Sequence, residues 1–244
     1  MATRIAPTNT AEAIILAGGL GTRLQGSIGD LPKPMAPVAG RPFLEWQLDA
    51  LQRRGLRRVI LSVGHRRESI EGHFGDRYAG MAIAYSREDS PLGTGGAIVA
   101  AMKLIEGACG FVLNGDTFIR APLREMESRT GCDFSVLVAR VEDTARFGTV
   151  VLAGDRISGF REKAASGPGF VNSGVYWITK SVVDEAAGRE KFSFEKDFVE
   201  PHAAELSICA VITDEPFVDI GLPESLAFAE KIIPALAAGD LHHS

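Results

Sequence analysis

Short apolar runs alternate with amphipathic stretches along the first half of the chain. AIILA at 13–17, VILSV at 59–63 and the run at 81–85 have the length and apolar density of buried strands, and residues 111–113 end a fourth. Between the first two, residues 43–54 set Leu44, Leu48 and Leu51 at helical spacing, giving one apolar face. Residues 66–74 predict a short polar helix and residues 94–105 another helix. Strands separated by helices of this length are joined by right-handed crossovers, because a tight turn cannot return a strand parallel to its predecessor. The expected fold class is therefore α/β, with a mostly parallel central sheet flanked by helices.

After Asp133 the texture becomes β-rich. FSVLVARV, TVVLAGDRISGF and FVNSGVYWI carry β-branched and aromatic residues, and GDRIS has the composition of a hairpin turn. Helices are expected again over 181–187 and 193–204. A last one follows Pro223, with Leu226, Ala229, Ile233 and Leu236 on one face. No repeat or linker interrupts the pattern. Residues 12–238 are expected to form a single domain with a smaller β-rich insertion in its second half, and residues 1–11 a loose tail.

Composition narrows the classes. Of 244 residues, 45% are hydrophobic and 23% charged, which suits a folded core rather than disorder. A net charge of −5 leaves no basic footprint for nucleic acid, so an anionic ligand must be met by local cations. Cys109, Cys132 and Cys209 are far apart and form no C-x-x-C pair. They predict neither a zinc site nor a disulfide framework, and fit a reducing compartment. No apolar run approaches the roughly 18 residues that span a bilayer, and the start has no signal-like segment. A cytoplasmic protein without a membrane partner is expected; a homo-oligomer stays open. The five histidines show no metal-ligand spacing, G-x-S-x-G is absent, and Trp46 and Trp177 read as core or pocket wall.

The densest chemical signal is LAGGLGTRLQGSIGDLPKPM at 16–35. Gly18, Gly19 and Gly21 let backbone N–H groups turn toward one point, a nest suited to phosphate oxygens. Arg23 and Lys33 add two cations, and Pro32 and Pro34 stiffen the backbone around the lysine. A dinucleotide turn would need glycine at position 24, which is Leu24, and no Gly-Lys pair of the Walker type occurs in this loop. A nicotinamide-dependent oxidoreductase is disfavoured on that ground.

LAGGLGTRL followed by PKPM resembles the signature of the sugar-1-phosphate nucleotidyltransferases, whose fold is Rossmann-like and similar to glycosyltransferase A. The resemblance implies that Leu16, Ala17, Gly18, Gly19, Gly21 and Thr22 wrap a triphosphate, while Arg23 and Lys33 hold the pyrophosphate and the α-phosphate. Nucleotidyl transfer crowds negative charge, so it needs a divalent cation and positive side chains more than a strong base. Asp116 in FVLNGDT and Asp219 in FVDIGLPE stand at strand ends; each aspartate could instead cap a turn. By resemblance both chelate magnesium (Mg2+), although Leu222 replaces the usual threonine of the second motif. Glu162 and Lys163 in GFREK match a pair that binds a sugar hydroxyl and the phosphate of the sugar 1-phosphate. Gly148 and Asn172 match positions lining the sugar pocket; a strand-edge turn former is the alternative for Asn172.

YSREDSPLGTGGA resembles the family's base-binding loop, with Gly93 and Thr94 against the base and Glu88 at its edge. A carboxylate only accepts hydrogen bonds, and guanine offers adjacent N–H donors, so GTP is favoured; a plain surface role for Glu88 is the alternative. The runs DLPKPMAPVAGRPFLEWQLDAL, FSFEKDFVEP and FVDIG resemble the branch that activates a heptose 1-phosphate with GTP for bacterial surface polysaccharides. A sibling using UTP or CTP with a mannose, glucose or N-acetylmuramic acid phosphate is the competing expectation. A non-catalytic sugar-nucleotide sensor is a third, disfavoured because Arg23, Lys33, Asp116, Lys163 and Asp219 are all retained.

Overall fold

The computed structural model describes residues 11–19, 21, 24–161 and 167–239. In order, the first half forms β1 (Glu12–Leu16), α1 (Gln25–Ile28), β2 (Pro37–Val38), β3 (Arg41–Pro42), α2 (Phe43–Arg53), β4 (Arg58–Val63), α3 (Arg67–Phe74), β5 (Arg77–Tyr78), β6 (Met81–Arg87), α4 (Gly93–Met102) and β7 (Cys109–Asn114). The second half adds β8 (Thr117–Phe118), α5 (Leu123–Ser128), β9 (Phe134–Val141), β10 (Thr149–Ala153), β11 (Arg156–Arg161), β12 (Gly169–Thr179), α6 (Lys180–Ala186), a π-helical turn at Phe194–Val199, β13 (Ile208–Thr213), β14 (Val218–Asp219) and α7 (Pro223–Ala238).

β7, β1, β4 and β6 lie side by side and parallel. Their apolar runs are buried on both faces, and the two-residue period sorts them. Ala13, Ile15, Val59, Leu61 and Val63 pack with Leu44, Leu48 and Leu51 of α2 and with Ile70 and Phe74 of α3. Ile14 and Ile60 point the other way, onto Ile98, Ala101 and Met102 of α4. A third cluster gathers Leu24, Phe43, Phe118, Val218 and Ile220 under α7, which contributes Leu226, Ala229, Ile233 and Leu236.

The chain steps outward from β1 to β4 to β6, then returns through α4 to β7 on the other side of β1. The order therefore reverses between β1 and β7. In open α/β sheets such a reversal leaves a crevice at the carboxyl ends of the two strands, where ligands bind.

The β-rich second half does not form a layer of its own. β12 pairs antiparallel with β7, and β9, β13, β11 and β10 continue the same sheet, to ten strands among the described residues. The hairpin at GDRIS is present as β10 and β11. β13, which pairs parallel with β9, has no counterpart among the expected elements. The helix expected over 193–204 is a π-helical turn that stops at Val199, with Glu200 N–H bonded to Glu195 O at 2.8 Å. Pro201 explains the stop, since it has no N–H to continue the ladder.

The cysteine expectation is corrected. Cys132, just before β9, and Cys209, on β13, form a disulfide with Cα atoms 5.7 Å apart, and the buried Cys109 is not part of it. The pair is 77 residues apart in sequence, so only the parallel β9–β13 contact brings it together. Trp46 and Trp177 are buried, as expected. Among the described residues no helix is long and apolar enough to cross a membrane. The expected tail falls outside the described residues except for Ala11.

Candidate active site

The glycine-rich loop leaves β1 under close steric control. Ala17 N–H still donates to Ser62 O of β4 at 2.8 Å. A Cβ on Gly18 would lie 2.6 Å from Glu88 Oε1, so a larger residue there would displace the Glu88 carboxylate. Gly21 has φ +58° and passes against Lys33, with a Cβ 3.0 Å from the lysine's own. Leu24, the residue that breaks the dinucleotide pattern, is 1% exposed in the cluster under α7. It fastens the loop's far end by burial.

Pro32 and Pro34 hold Lys33 in a single tight turn, with Met35 N–H bonded to Pro32 O at 2.8 Å. Pro34 and Met35 are buried, and the Lys33 ammonium reaches Asp116 Oδ2 at 2.5 Å. Asp116 follows the end of β7. Gly115 N–H bonds to Leu16 O at 3.1 Å, and a Cβ there would stand 2.4 Å from that oxygen. Glycine in the NGD run thus lets the ends of β1 and β7 touch. The buried Gln47 of α2 secures the same turn, donating to Asn114 O and Thr117 O, both at 2.8 Å.

Asp219 comes to the same place from the other end of the chain. It stands opposite Thr117 in the β8–β14 pair, and Ile220 N–H donates to Asp116 O at 3.0 Å. Its Oδ1 accepts from Gly221 N–H, and its Oδ2 meets Arg146 Nη2 at 3.2 Å. Each candidate metal carboxylate therefore carries a cationic partner, Lys33 on Asp116 and Arg146 on Asp219.

A cavity of about 380 Å³ opens at the β1–β7 crevice. Its walls are Leu16, Gly18, Gly19, Lys33, Pro34, Glu88, Pro91, Gly93, Thr94, Ala97, Asn114, Gly115 and Asp116. Three loops far apart in sequence meet there. A neighbouring recess of about 290 Å³ shares Gly18, Glu88 and Pro91, and adds Gly64, His65 and Arg67. Glu88 spans both, and its oxygens already accept from Ser62 Oγ at 3.0 Å and Leu92 N–H at 3.1 Å. The carboxylate thus holds its own loop in shape, while about two of its four acceptor positions remain. Gly93 has φ +71° and presses on Phe192 O, which would lie 2.4 Å from a Cβ. The Thr94 hydroxyl turns from the cavity wall to Glu195 Oε2 at 2.8 Å.

Of the residues expected to line a sugar pocket, Gly148 and Asn172 are described, and they lie side by side in the second half of the chain. The pairing of Thr149 with Val171 sets Gly148 beside Asn172 in the neighbouring strands. Phe147 stacks edge-on against Phe217, with centroids 5.3 Å apart, which ties this turn to the Asp219 segment. Thr22, Arg23, Glu162 and Lys163 lie outside the described residues. Asn114, Gly115, Pro91, Ala97, Gln47 and Arg146 extend the expected set. Gly115 had a signal, as the glycine of NGD, whereas Arg146 had only its place two residues before Gly148.

Comparison with known proteins places this geometry in a family. The nucleotidyl transferase family profile matches residues 12–234. The chain is similar to a D-glycero-alpha-D-manno-heptose 1-phosphate guanylyltransferase from Aneurinibacillus thermoaerophilus, with 40% identity over 90% of this chain and 97% of that one. A protein of the same name from Campylobacter jejuni is 42% identical over 87% of this chain and 96% of its own length. The crystal structure of HddC from Yersinia pseudotuberculosis complexed with GMP-PN matches at 35% identity and a TM-score of 0.81, covering 91% of this chain and 99% of that one. The chain belongs to the nucleotidyl transferase family.

Proposed function

We propose that the chain transfers GMP from GTP to D-glycero-alpha-D-manno-heptose 1-phosphate, giving GDP-heptose and pyrophosphate for bacterial surface polysaccharide synthesis. One observation carries the reading. The glycine-rich loop, Lys33, the Glu88–Thr94 loop and Asp116 wall a single cavity at the sheet's reversal point. Its nearly full-length relatives are heptose 1-phosphate guanylyltransferases.

The chemistry follows from charge. A phosphate oxygen of the sugar 1-phosphate bonds to the α-phosphorus of GTP. The bond from that phosphorus to the bridging oxygen breaks, and its electron pair leaves with pyrophosphate. The barrier comes from bringing anions together, so positioning and positive charge supply the rate. On this reading the loop's N–H groups and Arg23 hold the triphosphate. Lys33 exchanges Asp116 for the α-phosphate, and Lys163 meets the acceptor phosphate. Glu88 uses its remaining acceptor positions on guanine N–H donors.

Asp116 and Asp219 fit a magnesium site. They are hard oxygen donors on adjoining backbone, and each carboxylate is paired with a cationic side chain. Among the described residues no group of three metal-ligating side chains forms. Magnesium is commonly held by one or two carboxylates plus substrate phosphates. When bound there it would neutralise phosphate charge.

The direct test offers the purified protein an equimolar mixture of GTP, UTP and CTP with heptose 1-phosphate and magnesium, and identifies the product by mass spectrometry. GDP-heptose is expected. A UDP- or CDP-linked sugar as the main product contradicts the proposal.

A further inference from the structure

A chain of hydrogen bonds runs through the interior from β12 to the first turn of α4. β12 slips register between Asn172 and Tyr176, and Gly174 between them has φ +74°. Such irregularities re-aim side chains beside active sites. Here the slip lets two residues of one strand meet: Asn172 Nδ2 donates to the Tyr176 hydroxyl at 2.7 Å. Tyr176 is 1% exposed, and its hydroxyl donates onward to Glu195 Oε1 at 2.9 Å. The other oxygen of Glu195 accepts from Thr94 Oγ1 at 2.8 Å and Ser193 Oγ at 3.1 Å. The Thr94 hydroxyl in turn accepts from Phe194 N–H at 2.9 Å.

The direction of every bond in this chain is set by one group. An ionised carboxylate can only accept, so the Tyr176, Thr94 and Ser193 hydroxyls must all donate toward Glu195. The lone pairs of Tyr176 are then left for a donor, and only the nitrogen of the Asn172 amide supplies one. Its oxygen is turned to Gly174 N–H at 2.9 Å. The amide is thereby held in one of its two orientations, with one N–H and one lone pair left over. Burial first, and the charge of Glu195 second, push the Tyr176 phenol well above its ordinary pKa, so the relay keeps its proton.

We propose that Glu195 is a positioning residue for the transfer reaction: through Tyr176 it orients the Asn172 amide toward a hydroxyl of the sugar phosphate, and through Thr94 it fixes the first turn of α4 on the nucleotide side. This rests on the reading that Asn172 faces the sugar. The sequence places Glu195 in FSFEKDFVEP, more than 20 residues beyond Asn172, and only the fold joins them.

The test compares kcat and KM for both substrates, with melting temperatures, in Asn172→Ala, Tyr176→Phe, Glu195→Gln and the Asn172→Ala/Tyr176→Phe double variant. Tyr176→Phe keeps the ring and removes only the relay oxygen. It should raise KM for the sugar phosphate about two- to tenfold, the range one interior hydrogen bond supports, and leave KM for GTP unchanged. Glu195→Gln should raise both KM values, because a side-chain N–H replaces an acceptor that both branches use. The double variant should be no worse than Asn172→Ala alone. A normal sugar-phosphate KM in Tyr176→Phe, alongside a raised one in Asn172→Ala, overturns the positioning role and leaves the sugar-site reading intact. A normal KM in Asn172→Ala overturns that reading and the positioning role together. Equal losses for both substrates in Tyr176→Phe, with a lowered melting temperature, would mark a merely structural tyrosine and also contradict the proposal.

Discussion

Asp116 stands at the junction of two demands. It pairs with Lys33 at 2.5 Å, and on the proposed reaction path it must release that lysine to phosphate and take a metal instead. Asp116→Asn separates the two roles. The amide keeps the size of the side chain and loses the charge a hard cation requires. Turnover is expected to fall at least about a hundredfold, the scale on which one lost electrostatic contact to a charged transition state is felt. GTP affinity measured by calorimetry without metal should stay within a few-fold of the parent, because Lys33 is freed rather than removed. Unchanged turnover in this variant would remove Asp116 from the metal site. At this scale the sequence was informative where a motif has its own chemistry. Gly21 is favoured by its φ of +58°, and Gly115 is required by the backbone oxygen that a Cβ would meet at 2.4 Å. Glu88 was harder to read, because its bonds to Ser62 and the Leu92 N–H depend on a loop shape that composition does not disclose.

Among the elements, the glycine-rich loop depends on an anchor that carries no charge. Leu24 was legible in the sequence only as the residue that excludes a dinucleotide turn. Its positive role needs the packing of α2, β8, β14 and α7 around it. Leu24→Ala should destabilise the fold by about 2–5 kcal/mol, as a large-to-small change in a closed core does. It should also raise KM for GTP, because the loop's far end loses its hold. Chemical denaturation and steady-state kinetics check the two effects, and a change in stability with no change in KM would show that the loop is held elsewhere. The parallel strands and their helices were readable because each carries its own period. β13 and the π-helical turn were not. One is a short run inside the sheet whose parallel partner lies about 70 residues earlier, and the other is a helix signal cut short by Pro201.

For the whole molecule, what matters is how the second half of the chain joins the first. β12 lies against β7, and β14 against β8, so the Asn172 and Asp219 segments adjoin the Asp116–Thr117 turn beside the crevice: Thr117 Oγ1 donates to Ser173 O and Ile220 N–H to Asp116 O. Local pattern predicts the β-rich insertion but not its partners, and the structure adds its strands to the same sheet. The same long-range pairing makes the disulfide between Cys132 and Cys209. Closing a loop of that length restricts the unfolded chain by an amount worth about 4 kcal/mol. Reductant should therefore lower the melting temperature, and a melting temperature indifferent to reductant would show that the two thiols are not bonded in solution.

The central claim is the pairing of GTP with a heptose 1-phosphate. Its most direct test is kcat/KM for pyrophosphate release with GTP, UTP and CTP, each against heptose, mannose, glucose and N-acetylmuramic acid 1-phosphates in magnesium buffer. The account predicts that GTP with D-glycero-alpha-D-manno-heptose 1-phosphate exceeds every other combination by at least about tenfold, a difference of roughly 1.4 kcal/mol in transition-state binding. Release that is fastest with UTP or CTP, or with GTP and a different sugar phosphate, would contradict it.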